Sequence, residues 1–287
     1  MSHPVHKISS LARPVEPKYP TNLAVIILLP VIAVGLFGYS AFGGAGMADA
    51  ARTAFTGLFA AFLTWALGRE MDPDHNATAF IAMALAVLAT AVGYGFDFFA
   101  LAAMLFAVRI VNRTVGPQAR TGDVVILVLL NVGAVFVDGA WWMPFISAIA
   151  LGIDEFFERG SLPQRAAIPA LLVLGILPFF VADAGFDVMQ TLVRGWIVTI
   201  VVITLLTAGN IYNTQQIESV MDALGTPCNC RRIQAGMAVI LLGGVAAIMG
   251  GQPAIAASLG IWSVLAAALV GRNISLDRKD EDETADD

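Results

Sequence analysis

Charge is what this chain lacks. Only 13% of its 287 residues are Asp, Glu, Lys or Arg, about half the share found in soluble domains. So few cannot cover a water-facing surface, which excludes an ordinary soluble enzyme and a disordered chain. No basic excess is present to hold a nucleic acid. Histidine occurs three times and cysteine twice, too few cysteines for a disulfide-stapled secreted domain. What is there instead is apolar. Hydrophobic residues make up 58% of the chain, and mean hydropathy is +0.78. The net charge of −6 is local, because Asp277 to Asp287 carries seven acids against two bases. The rest is a nearly neutral, apolar body, the composition of an all-α integral membrane protein.

A helix crossing the hydrocarbon core needs about 20 apolar residues. Ten runs qualify: Asn22–Phe42, Ala48–Leu67, Thr78–Tyr94, Gly95–Asn112, Asp123–Gly139, Ala140–Phe157, Ala167–Ala184, Thr191–Ala208, Gly236–Gly250 and Pro253–Gly271. The ten-residue alternation of a membrane barrel is absent. Only Asp138 interrupts the stretch from Val124 to Leu151, so reading it as one long helix would give nine spans. Lys and Arg stay on the cytoplasmic side of short loops. Ten spans put 14 of them on one face and only Arg52 and Arg194 on the other; nine spans give 8 against 8. The expectation is therefore a polytopic bundle of ten transmembrane helices in the cell membrane, plasma or inner, with N and C termini cytoplasmic. Tyr94 and the Trp141-Trp142 pair fall at outer boundaries, where amphipathic rings prefer to sit.

Residues 1–21 read as a cytoplasmic arm without a signal peptide, 22–271 as the helical domain, and 272–287 as an acidic, disordered tail. The spans pair into five hairpins with short outer turns. The longest cytoplasmic loop, 209–235, is amphipathic: Ile217, Val220, Met221 and Leu224 follow helical spacing before Gly225 and Pro227. A short surface helix is expected there, either packed on the bundle or, with the acidic tail, offered to a protein partner.

Polar chemistry concentrates on the cytoplasmic side. Arg69, Glu70, Asp72, Asp74 and His75 lie within seven residues. They would hold Mg²⁺ through carboxylate oxygens, or do acid–base work through His75. They are equally the makings of a solvated turn with Asp72-Pro73 opening it. Asp154 and Glu158 close span six on the same side, four apart on one helical face. Arg113 would contact phosphate. Asp72, Asp74 and Asp154 are the candidate metal ligands. Cys228 and Cys230 supply at most half a zinc site and read more simply as two reduced thiols. No ionisable residue lies near the middle of a span, which argues against an ion or proton path. Asn131 is the most central strongly polar side chain, suited to an interhelical hydrogen bond.

Arg69-Glu70-Met71-Asp72 resembles the end of the first acidic motif of intramembrane prenyltransferases that attach isoprenoid chains to quinones. Where that family has an Asn-Asp pair and a further Asp, this chain has Thr64, Trp65 and Gly68. Asp154 and Glu158 stand where its second motif spaces two aspartates. The resemblance implies a Mg²⁺-dependent enzyme acting on a lipid or isoprenoid phosphate. Ten helices with both ends inside is also similar to the layout of the drug/metabolite transporter superfamily. Three readings follow: a carrier or permease for a small or lipid-like solute, favoured by length and topology; such an intramembrane enzyme; or a non-catalytic subunit of a membrane complex.

Overall fold

A computed structural model describes residues 9–181 and 194–274. The chain is helical, with no strand among the described residues. Its α-helices are α1 (Pro20–Phe42), α2 (Met47–Met71), α3 (Asn76–Ala91), α4 (Phe98–Asn112), α5 (Thr121–Phe136), α6 (Met143–Phe157), α7 (Leu162–Ile176), α8 (Pro178–Val181), α9 (Arg194–Asn213), α10 (Cys230–Ala247), α11 (Gly251–Ala257) and α12 (Leu259–Gly271). Among the described residues five stretches are long and apolar enough to cross a membrane: Pro20–Phe42, Met47–Met71, Leu162–Val181, Trp196–Asn213 and Cys230–Gly250. Helices α3, α4, α5 and α12 are apolar but shorter.

The shortening has local causes. Gly93, with φ 91°, and Gly139, with φ 73°, take the left-handed backbone that ends α3 early and stops α5 before α6 begins. The stretch from Val124 to Leu151 is thus two helices, not one. At the break Ala140 N–H donates to the Ala134 carbonyl at 2.7 Å, and Asp138 accepts from the Ala100 N–H at 2.9 Å. Asn131 bonds Ser147 between α5 and α6 at 2.9 Å, as its central position suggested. The last parts of the span Ala167–Ala184 and the first of Thr191–Ala208 lie outside the described residues, as does most of the acidic tail.

Helices α2, α4, α6, α10 and α12 form the centre, filled by Leu67, Met104, Leu151, Met237 and Leu265, all fully or almost fully buried. Gly68 lets α2 approach α3 closely, since a Cβ there would stand 2.8 Å from the Ala79 Cα. The outer helices present the reverse pattern. Val34 on α1 is 72% exposed and Leu205 on α9 is 67% exposed. A continuous apolar exterior over a packed interior suits hydrocarbon, not water. Trp141 and Trp142 differ from expectation: they are 8% and 2% exposed, inside the bundle, and Trp141 packs edge-on to Phe179 at 4.9 Å.

Contacts gather the polar helix ends at one pole. Arg109 near the end of α4 meets Glu70 near the end of α2, Arg232 at the start of α10 meets Asp154 in the last turn of α6, and Arg272 just after α12 meets Asp72 just after α2. The N-terminal arm is strapped over the same pole. Ser10 donates to Asp123 at 2.7 Å, and Leu11 is 2% exposed while its carbonyl accepts from Arg109.

The expected surface helix around Val220 does not form. The segment between α9 and α10 is a tight turn, bridged at Val220 and Pro227, with Gly225 at φ 64°. Its N–H groups are taken by non-helical partners. Glu218 and Ser219 donate to the Asp74 carboxylate, and Asp222 and Ala223 donate to the carbonyls of Thr114 and Val115. Those bonds displace the i to i−4 ladder, so helical spacing alone misled. The turn packs on its own bundle.

Candidate functional site

Glu70 is fully buried and receives four side chains. Arg109 donates to Oε1 at 3.1 Å and Arg13 at 3.4 Å; Thr114 donates to Oε2 at 2.8 Å and Asn112 at 3.4 Å. Asn112 also donates to the Glu70 carbonyl at 2.9 Å. A carboxylate so engaged has no lone pair left for a metal or a substrate proton. Arg13 extends the network to Asp222 at 2.6 Å. Burial alone lowers the proton affinity of Arg13, but Glu70 and Asp222 more than offset this and hold it above its ordinary value.

The other predicted residues divide among separate groups. Asp72 accepts from Thr78 and contacts His75 Nδ1, each at 2.9 Å, with Arg272 at 3.5 Å. Asp74 fixes the Val220 turn through backbone N–H groups. Asp154 is fully buried between Arg113 at 3.0 Å and Arg232 at 2.5 Å, with Gln164 donating at 2.8 Å. Glu158 pairs with the same Arg113, so Arg113, Asp154 and Glu158 do come together. Arg232 also stacks on Phe157, 4.8 Å from the ring centre. Asp72, Asp74 and Asp154 do not come together. Among the described residues no group of three or more His, Cys, Asp or Glu is placed to hold a metal ion. The donor set that a Mg²⁺-diphosphate site requires is committed to arginines, hydroxyls and backbone amides.

The thiols are free. Burial pushes the Cys228 thiol up to about 11, the opposite of an activated nucleophile. Cys230 Sγ lies 3.5 Å from the Thr214 carbonyl.

A cavity of about 790 Å³ opens beside the Glu70 network. The N-terminal arm, the start of α1, the last turns of α2 and α4, and the Val220 turn wall it. Its charged lining is Arg13, Lys18, Arg69 and Arg109 against Glu16 and Asp222. Its apolar lining includes Phe62, Leu63, Trp65, Leu105 and Phe106. The two parts sit at different depths. Phe62 precedes Arg69 by two turns, about 10 Å along the helix, and Phe106 precedes Arg109 by about 4.5 Å. Since α2 and α4 both run toward the polar pole, the charges lie nearer that pole and the rings farther into the bundle.

Sequence reasoning missed Arg13, Arg109, Asn112, Thr114, Arg232 and Asp222. The three arginines were counted only toward the topology, and Asp222 was not considered. The signal available was the small number of charges: in so apolar a chain, a cation near a helix end needs a carboxylate partner. Comparison of the chain with protein-family models, with curated proteins and with solved structures found no match.

Proposed function

We propose that this chain is a ten-span carrier of the cell membrane, with both ends cytoplasmic, that takes a lipid-like solute into the cavity beside Glu70. The cavity carries the reading. A volume of about 790 Å³ is within the range of small-molecule sites. Polar groups at its mouth and rings below it fit a molecule with a head and a tail. Confinement to one pole fits a carrier open to one side. The ten spans draw support from the gathering of polar helix ends at that pole and from the distribution of Lys and Arg.

The test is leaflet exchange in proteoliposomes carrying short-chain fluorescent lipids of several headgroups, read by chemical quenching of the outer leaflet. Exchange several-fold faster than in empty vesicles, and lost in Ala66→Trp, which fills the cavity wall, is the expected result. Rates equal to empty vesicles for every headgroup would overturn the carrier reading.

A further inference from the structure

We infer that Arg69 is the anion-binding group of this cavity, and that the solute it receives carries a phosphate head. This rests on the proposal that the cavity takes a lipid-like molecule and names the chemistry of its head.

Arg69 differs from the other buried or half-buried arginines at this pole. Arg13, Arg109, Arg113 and Arg232 each pair with a carboxylate. Among the described residues Arg69 has no carboxylate partner; its contacts are the neutral Asn22 Oδ1 at 3.2 Å and the Trp65 ring, 5.4 Å from the guanidinium. A stacked guanidinium keeps its edge donors available, and those donors match two phosphate oxygens at once.

Charge counting reaches the same residue. Lys18 pairs with Glu16, and Arg13 and Arg109 share Glu70 and Asp222. Four cations line the cavity, and the carboxylates that serve them number three, so one positive charge is left over. In a partly desolvated mouth an uncompensated cation raises the local concentration of anions. Trp65 positions the leftover cation. It is 4% exposed, lines the cavity, and carries the Arg69 guanidinium on its ring, which holds that cation at the cavity wall.

The apolar wall decides what lies behind the phosphate. With Arg69 at the mouth and Phe62 about 10 Å deeper, a phosphate held by Arg69 places any attached chain on Phe62, Leu105 and Phe106. Inorganic phosphate would use the head alone; a phospholipid or other alkyl phosphate would use both parts.

The full chain in neutral detergent is titrated with inorganic phosphate, short-chain phosphatidic acid, the matching uncharged diacylglycerol, and octanoate, with the thermal midpoint as readout. Phosphatidic acid is expected to raise the midpoint at concentrations at least tenfold below those of the other three. Arg69→Gln should weaken it at least tenfold, Arg69→Lys less, and Arg52→Gln at the opposite pole not at all. Since Arg69 has no ion pair among the described residues and bonds only the neutral Asn22, the ligand-free midpoint of Arg69→Gln should stay near that of the parent. Inorganic phosphate binding as tightly, and still dependent on Arg69, would keep the phosphate site but assign it to a free phosphate. Equal shifts by octanoate or diacylglycerol, or Arg69→Gln binding like the parent, would overturn the proposal. Leaflet exchange separates the two claims. Arg69-dependent binding without exchange removes the carrier; exchange indifferent to Arg69 removes the phosphate site.

Discussion

Glu70 and Asp154 are the same device used in two places. Each is a fully buried carboxylate in the last turn of a helix, each held between two arginines, at the same pole. They differ in what surrounds the pair. Around Asp154 the charges balance: Arg113 and Arg232 face Asp154 and Glu158, Gln164 fills a remaining lone pair, and Phe157 covers a guanidinium. Around Glu70 the balance fails by one among the described residues, because Arg69 stands beside the network without a paired carboxylate, and the failure faces a cavity. Two adjacent ion clusters therefore carry different meanings. A closed, neutral cluster staples α4, α6 and α10 together; an open one with surplus charge is a place for something else to bind.

The largest effect should come from breaking the closed cluster. Asp154→Ala leaves Arg113 and Arg232 facing each other with only Glu158, which is exposed, in reach. Removing one member of a buried ion cluster costs about 3–5 kcal/mol, which lowers the thermal midpoint on the order of 10 °C. Pairing Asp154→Leu with Arg113→Met and Arg232→Met should recover most of that loss, since apolar side chains of similar volume replace such clusters at little cost. A staple behaves this way; a substrate-binding group would instead lose ligand response while keeping its stability.

Glu70→Gln should act less on stability and more on binding. The amide keeps a partner for Thr114, and Arg13 keeps Asp222, so we expect a loss of about 1–3 kcal/mol. The cavity mouth gains one positive charge, so short-chain phosphatidic acid should raise the midpoint of Glu70→Gln more than that of the parent. No such gain is expected in the Asp154 variants. Calorimetry or fluorescence melting with and without the amphiphile checks both halves of the contrast.

Between these two centres lies a third test, in the closeness of α4 and α10. A Cβ on Gly236 would stand 1.9 Å from the Asn112 side-chain oxygen. Gly236→Ala must therefore turn Asn112 away and break its bond to the Glu70 carbonyl. A cost of about 1–3 kcal/mol is expected, with ligand response reduced in proportion to the disturbance of Glu70.

How much of this was readable beforehand depends on the kind of signal. The apolar runs marked where helices lie because length and hydropathy are properties of single segments. Asp154 and Glu158 were placed on one helical face by their four-residue spacing, but Arg113 was assigned to phosphate, and its pairing with both carboxylates shows only in space. The cluster around Glu70 was misread because its partners come from positions 57, 39 and 44 residues away, and no spacing rule links them. Asp72 and Asp74, two residues apart, looked like joint ligands, yet one faces Thr78 and Arg272 and the other the Val220 turn. That turn in turn defeated the helical reading of Ile217 to Leu224. Arg69 was singled out for its neighbours in sequence; what matters is that, among the described residues, no carboxylate pairs with it in space.

The smallest effect uses Cys228 as a voltmeter between the two centres. Burial is the main reason its thiol is pushed up to about 11, and the negative charge of Glu70 raises it further while Arg13 lowers it. At a fixed mildly alkaline pH the thiolate fraction, and with it the alkylation rate, is small and rises about tenfold per pH unit until the pH reaches that value. Replacing Glu70 by Gln removes a negative charge that disfavours the thiolate and leaves Arg13 in place. The sign is then fixed: the thiol's pKa falls and Cys228 alkylates faster, by less than tenfold, in a background where Cys230 is serine. Asp154→Asn should change the rate less than Glu70→Gln does, since Glu70, Arg13, Asp222 and Asp74 are the leading charges at Cys228. A saturating phosphate amphiphile, adding negative charge at Arg69, should slow the reaction again in Glu70→Gln. Equal rates in both variants would mean the two clusters are electrically one, and the distinction between staple and site would fail at its base.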